Sequence, residues 1–206
     1  MSALAVVKSI SPFNIMDTFV AWMGFNMIHN SLSVVMERKL ANNFSALFHA
    51  VGCSSMGLGY MLSNNPKLLY LFQKFSTGYF LYDTVHSVKH IKQPLSSMYM
   101  YHHLATMFYL HQNPTIYNTV PILFFGELSN IPSYFVYYLI KKGKNKKALT
   151  LAKKIQFCVY SFIRLPIATY LTYDVLRTVD NRIPVYSMIP VYLMGLIWTK
   201  SLWKNL

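Results

Sequence analysis

The residues best suited to do chemistry in this chain are two adjacent histidines, His102 and His103, in the run MYMYHHLATMFYL (98–110). They lie among apolar and aromatic side chains, where an unpaired polar group is costly. His49 and Asp83 lie in two other apolar runs. An imidazole beside a carboxylate can share its proton, which is the arrangement that general acid–base catalysis uses. The pattern therefore indicates a buried polar site built from several segments.

Three further polar residues lie inside apolar runs. Thr106 follows His102 by four positions and His103 by three, so on a helix its hydroxyl can lie over either ring. Glu127 and Arg164 are expected to pair, because a buried charge needs a partner. The alternative is that all these residues form interhelical hydrogen bonds that hold a helix bundle together and have no chemical role.

The composition decides which elements must position these residues. The 206 residues are enough for one domain, 54% of them are hydrophobic, and only six are acidic. Long apolar stretches separated by short basic ones are typical of polytopic membrane proteins. We therefore predict an all-α integral membrane fold with about seven transmembrane helices. These are expected near residues 13–35, 43–62, 68–88, 95–112, 116–140, 148–176 and 183–202.

The net charge of +13 has two interpretations. A nucleic-acid-binding protein would cluster its bases on one hydrated face. Here the bases fall between apolar segments, as the positive-inside rule describes, so we expect no nucleic-acid partner. Most of them fall on one side of the seven-span topology, which predicts a multi-pass protein with a cytosolic C-terminus. The segment KKGKNKKALTLAKK (141–154) could also bind anionic lipid headgroups.

The height of each polar residue along its helix follows from a rise of about 1.5 Å per residue. Counted from the ends of the predicted spans, four residues fall in one layer: His49, Asp83, His102 and His103. Glu127 and Arg164 fall deeper. Because the four come from three segments, a shared height indicates a polar interior between the helices.

The ordered set of motifs resembles the TLC-domain family, which includes ceramide synthases and smaller lipid-related membrane proteins. The matching segments run from about Asn43 to the C-terminus: FSALFHAVG, FSTGYFLYDTV, YHHLATMFYL, FFGELSNIPSYFVYYLI, FIRLPIATYLTYDVL and MGLIWTKSLWKNL. The resemblance implies that residues 43–206 form a six-helix transmembrane barrel around a lipid-sized cavity, and that residues 1–42 hold an extra first helix. It implies a location in the endoplasmic reticulum, or in a host membrane if the source is a virus. The cavity lining it implies is His49, Asp83, His102, His103, Thr106, Glu127 and Arg164.

The resemblance implies one of two functions. The first is the binding, sensing or handling of membrane lipids in sphingolipid and phospholipid homeostasis. The second is transfer of an acyl group from acyl-CoA, as co-substrate, to a sphingoid base, with His102, His103 and Asp83 as catalytic residues. The chain has GELSNIP (126–132) where ceramide synthases carry an acidic stretch, which favours the first function. Whether the chain is an enzyme stays open at this point.

A membrane di-iron site is a further alternative. His86 and His90 are four residues apart, and the histidine pair at 102–103 follows. That chemistry needs more histidines grouped in boxes than this chain has, since it holds seven in all. We therefore expect no metal and no bound cofactor.

Overall fold

The structure, a computed structural model, describes residues 15–89, 96–114, 116–143 and 145–206. All of its regular structure is helical. The helices are α1 (Ile15–Val35), α2 (Arg38–Ser63), α3 (Pro66–Lys89), α4 (Ser96–Leu110), α5 (Thr119–Lys142), α6 (Lys146–Phe162), α7 (Ala168–Thr178) and α8 (Ile183–Lys204). A π-helical turn (Ile163–Ile167) joins α6 to α7 in one continuous rod. Each helix, with α6 and α7 counted as one rod, lies close to one of the predicted apolar segments.

Local sequence signals set the ends of the helices. α3 begins at Pro66, and α8 has Pro184 in its first turn, where a missing backbone N–H costs nothing. The residues that cap the ends of α2 and α5, Asn64 and Gly143, both adopt the left-handed conformation. Gly143 has φ +60, which favours a residue without a Cβ. Asn145 accepts a hydrogen bond from the backbone of Lys147 and so caps the start of α6.

Six rods form a closed ring. α2 packs against α3, α3 against α4, and α4 against α8. α8 then contacts the α6–α7 rod, which packs against α5, and α5 closes the ring on α2. α1 lies outside this ring against α2 and α3. The arrangement turns the polar faces of several helices toward one shared interior.

The prediction of a seven-span integral membrane protein is wrong. Over the described ranges, no helix combines the length and the apolarity that crossing a bilayer requires. α4 has 15 residues, so it extends only about 22 Å, less than the roughly 30 Å of a hydrocarbon core. α3 is longer but carries polar side chains along its length, among them Gln73, Ser76 and Thr77. The predicted multi-pass localisation, with a cytosolic C-terminus in the endoplasmic reticulum or a host membrane, depends on these spans and is therefore also wrong.

The contact between α1 and α3 depends on a close backbone approach at Gly78. A Cβ at this position would lie 2.5 Å from the Cβ of Ala21 and 2.8 Å from the backbone nitrogen of Trp22. Because the second of these atoms belongs to the backbone, a side-chain rotation cannot relieve the clash. The two helices would have to separate.

Replacing Gly78 by alanine should therefore lower the free energy of unfolding by about 1–3 kcal/mol, the usual cost of overpacking. The matched control is Gly24→Ala on α1, because nothing lies within 4 Å of a Cβ there. Alanine in that helix interior should raise the free energy of unfolding by up to about 1 kcal/mol. Urea denaturation of both variants measures the difference, and equal effects would contradict the close approach.

Candidate functional site

A buried histidine–carboxylate pair joins α2 to α5 inside the ring. The Nδ1 atom of His49 lies 3.6 Å from the Oε2 atom of Glu127, and the two side chains are 0% and 7% exposed. The His49 ring stacks on the Tyr79 ring, with centroids 4.0 Å apart and planes within 9°. The distance is slightly long for a hydrogen bond, so the contact is an ion pair when His49 is protonated.

A second histidine–carboxylate pair joins α3 to α4. The Nε2 atom of His103 lies 3.5 Å from the Oδ2 atom of Asp83. The ring of Phe80 stacks against His103 with centroids 5.4 Å apart. Burial lowers the pKa of His103, although the charge of Asp83 acts in the opposite direction. Asp83 therefore holds a mainly neutral imidazole in a fixed orientation.

His102 lies beside this pair and faces a cavity. Its ring centroid is 5.3 Å from that of His103. The Nδ1 atom is buried and has no hydrogen-bond partner among the described residues. Burial, with the charges of His103 and Arg164, lowers the pKa of His102 to about 3. The ring is therefore neutral at pH 7, with one nitrogen able to accept a hydrogen bond.

Glu127 keeps its charge in spite of its burial. Burial alone would raise the pKa of this carboxyl, but the neighbouring His49, and to a smaller extent His102 and Arg164, outweigh it. The pKa of Glu127 is consequently lower than its usual value. A buried carboxylate of this kind is tolerated only while the neighbours that stabilise its charge stay in place.

Arg164 sits in the π-helical turn and contacts α5. Its Nε donates to the Oγ of Ser129 at 3.0 Å, and its Nη2 donates to the carbonyl of Gly126 at 3.0 Å. Its guanidinium also lies 5.3 Å from the ring centroid of Tyr160. Arg164 was expected to pair with Glu127, but its guanidinium makes these contacts instead. The carboxylate of Glu127 pairs with His49.

The cavity lies between α4, α5, the π-helical turn and α8. Its volume is about 40 Å³, which is room for a few waters and far below the roughly 300 Å³ of a small-molecule site. The polar part of its lining consists of His102, Thr106, Thr119, Glu127 and Arg164. The expectation of a lipid-sized cavity is therefore not met in this conformation.

Four of the seven predicted site residues line the cavity: His102, Thr106, Glu127 and Arg164. His49 contacts Glu127, and His103, which pairs with Asp83, contacts the ring of His102. The hydroxyl of Thr106 donates to the carbonyl of His102 at 2.7 Å.

Two residues of the site, Ser129 and Thr119, were not among the predicted site residues. Ser129 could have been found, since it lies two positions after Glu127, within the same motif. Thr119 gives no such signal. It is 1% exposed, its hydroxyl has no partner among the described residues, and it lines the cavity. A hydroxyl that lines the cavity and has no protein partner among the described residues is available to a ligand.

The described residues hold no group of three or more His, Cys, Asp or Glu side chains that could bind a metal ion. His86 contacts His29 instead, with ring centroids 5.5 Å apart. His90, the other member of the considered box, lies outside the described residues.

The lowered pKa of His102 predicts a loss of stability in acid. Unfolded histidine takes up a proton near pH 6.5, whereas folded His102 does so only near pH 3. Between these values the unfolded state binds one more proton, so the free energy of unfolding falls as the pH drops, by up to about 1.4 kcal/mol per pH unit.

The variant His102→Asn should show a shallower dependence over this interval, by up to one proton. Urea denaturation at several pH values between 3.5 and 6.5, spanning the interval given by the two pKa values, measures both slopes. Identical slopes for the variant and the wild type would show that the folded ring titrates as it does in the unfolded chain.

Comparison of the chain with protein-family models, with curated proteins and with solved structures gives no match. The function must therefore be argued from the side chains of the site and from the motifs that contain them.

Proposed function

We propose that the motifs resembling the TLC-domain family form one binding site for the polar head of a lipid-like amphipathic molecule. One observation carries this proposal: motifs far apart in the chain contact each other through their polar residues. The motif of His49 meets that of Glu127, and the motif of Asp83 meets that of His103. Arg164 meets Ser129 of the same motif as Glu127. Polar side chains from five segments thus surround one interior.

The mixed lining of the cavity supports an amphipathic ligand. Its polar members include His102 and Thr119, whose Nδ1 and Oγ1 atoms are buried without a hydrogen-bond partner among the described residues, and the charged Glu127 and Arg164. Its apolar members include Leu123, Met188 and Val191. Polar groups that can bind a head and aliphatic side chains that can contact a chain thus line the same cavity.

Binding requires the cavity to enlarge. Met188 lies on α8 and forms part of the lining. Methionine is flexible and unbranched, so it can change rotamer at low cost. α8 also contacts the π-helical turn that holds Arg164. A shift of α8 would therefore widen the cavity and leave the two histidine–carboxylate pairs, which lie on α2 to α5, unchanged.

The variant Arg164→Lys should bind such a ligand about tenfold more weakly, roughly 1.4 kcal/mol, because lysine cannot reproduce the planar fork of donors. The measurement is equilibrium binding of fluorescent forms of a sphingoid base, a fatty acid and a lysophospholipid to purified full-length protein. Lipids that co-purify with the protein are identified in parallel by mass spectrometry.

The matched control is Arg177→Lys, since Arg177 also lies over a tyrosine ring, 5.5 Å from the centroid of Tyr173, but outside the cavity. It should bind like the wild type. Absence of binding by folded wild-type protein, with no co-purifying lipid, would refute the proposed function. An equal loss in both variants would remove Arg164 from the site.

Acyl transfer from acyl-CoA is the second candidate, and the geometry of three residues favours it. Asp83 pairs with His103, and His102, which lines the cavity, lies next to that ring. His103, oriented by Asp83, can take the proton from an attacking amine while the N–C bond forms. The thioester C–S bond then breaks, and the imidazolium returns the proton to the departing thiolate.

Purified protein supplied with a sphingoid base and labelled acyl-CoA tests this second candidate. If it transfers the acyl group, His102→Ala or His103→Ala should reduce labelled amide by at least about a hundredfold, the usual contribution of a general base. His111→Ala, just after α4, is the control and should retain activity. Lipid binding without amide formation would leave binding as the function and exclude acyl transfer.

A further inference from the structure

Basic residues gather at one end of the ring. Arg38 and Lys39 begin α2, and Lys141 and Lys142 end α5, and all four are exposed. The carboxylate of Glu37 accepts hydrogen bonds from the Nζ of Lys141 at 3.0 and 3.1 Å. This contact places the start of α2 beside the end of α5.

α6 and α8 bring further bases to the same end. The Nζ of Lys153 donates to the carbonyl of Asn205 at 3.3 Å, which joins the first half of α6 to the end of α8. The rings of Phe157 and Trp203 support this contact, with centroids 5.3 Å apart. The exposed lysines that α6 and α8 contribute are Lys146, Lys147, Lys154, Lys200 and Lys204. We call these lysines, with the four bases of α2 and α5, the basic end.

The charge of the basic end is almost uncompensated. Of the six acidic residues in the chain, Glu37 is the one located here, and its carboxylate is already bound to Lys141. Glu127 and Asp83 face the ring interior, and Asp174 lies toward the opposite end of the α6–α7 rod. A concentration of one sign of charge attracts a partner of the opposite sign.

Exposed apolar side chains are interleaved with these bases. Val34 and Val35, at the end of α1, are 84% and 77% exposed, Trp203 is 65% exposed and Leu151 is 61% exposed. A phosphate backbone offers no partner to such groups. The headgroup region of a bilayer offers both anionic groups and apolar chains, which is why lysine and tryptophan occur together on protein surfaces that lie on lipid.

We propose that the basic end docks on the surface of an anionic lipid bilayer. The lysines contact headgroup phosphates, and Trp203 and Leu151 lie at the boundary between headgroups and acyl chains. This surface is separate from the cavity, because Lys141 follows Glu127 by fourteen residues, or about 21 Å along α5. The docking surface therefore does not depend on the proposed function of the cavity.

The test is flotation of the full-length protein with phosphatidylcholine vesicles, with and without phosphatidylglycerol, at low and at high salt. The variant Lys146→Gln/Lys147→Gln/Lys154→Gln should bind the anionic vesicles roughly 100-fold more weakly, since each base near the surface contributes about 1 kcal/mol. The matched control is Lys67→Gln/Arg177→Gln/Arg182→Gln. It removes the same charge from the opposite end of the ring and should bind like the wild type.

Tryptophan emission gives a second reading. Anionic vesicles should shift the emission of the wild type to shorter wavelength, and Trp203→Phe should abolish most of that shift. The proposal is overturned if the wild type does not bind anionic vesicles, if it binds neutral ones equally, or if the control triple variant loses as much affinity. Tighter binding of duplex RNA or DNA than of anionic vesicles at the same salt, lost in the first triple variant, would assign the surface to nucleic acid instead.

Discussion

The carboxylate of Glu127 is the constraint on which the arrangement of the ring depends. An ion of this size loses several kcal/mol of hydration free energy when it is buried, and only a close cation with good geometry restores it. His49 on α2 and Arg164 in the π-helical turn both lower the pKa of Glu127, which keeps its carboxylate charged. Two rods are thereby tied to α5 at one height. A slip of either rod by one turn, about 5.4 Å, would leave a buried charge unpaired.

Aromatic packing fixes the polar groups that the two histidine–carboxylate pairs bring together. His49 is enclosed by Tyr79, Phe75 and Phe25, and His103 is covered by Phe80. These rings contribute a large buried apolar area and also exclude water from the charges between them. Electrostatic interactions are stronger in such surroundings than in water. The apolar cluster therefore determines how strong the electrostatic interactions of the polar site are.

Helix positions could be read from the sequence because their signals are local: prolines in the first turns of α3 and α8, and Gly143 after α5. The contact between Asp83 and His103 agrees with their matching residue counts from the ends of α3 and α4. The same counts placed Glu127 deeper than His49, yet the two side chains are in contact, because a count along each helix does not fix how the helices are displaced along one another. Whether the helices cross a membrane could not be predicted in this way, since mean composition does not report how polar residues interrupt each helix. The partner of Glu127 and the size of the cavity depend on the rotation of each rod and on side-chain rotamers, which a count along the chain does not contain.

The π-helical turn at Ile163–Ile167 has a consequence for how this rod can be altered. The N–H of Ala168 bonds to the carbonyl of Ile163, five residues back, so the turn holds one residue more than an α-helix would. Pro166, which lacks an N–H, lies within it. One residue corresponds to about 100° of rotation in an α-helix. Because the wide turn absorbs the additional residue, the two halves of the rod keep the phase that they would have in an uninterrupted α-helix. Deleting one residue within the turn should therefore close it into an α-helix and leave the faces of α7 where they are, whereas a deletion elsewhere in the rod would rotate every later side chain. The turn is thus the one described place in this rod where the chain can change length without changing what α7 presents to its neighbours.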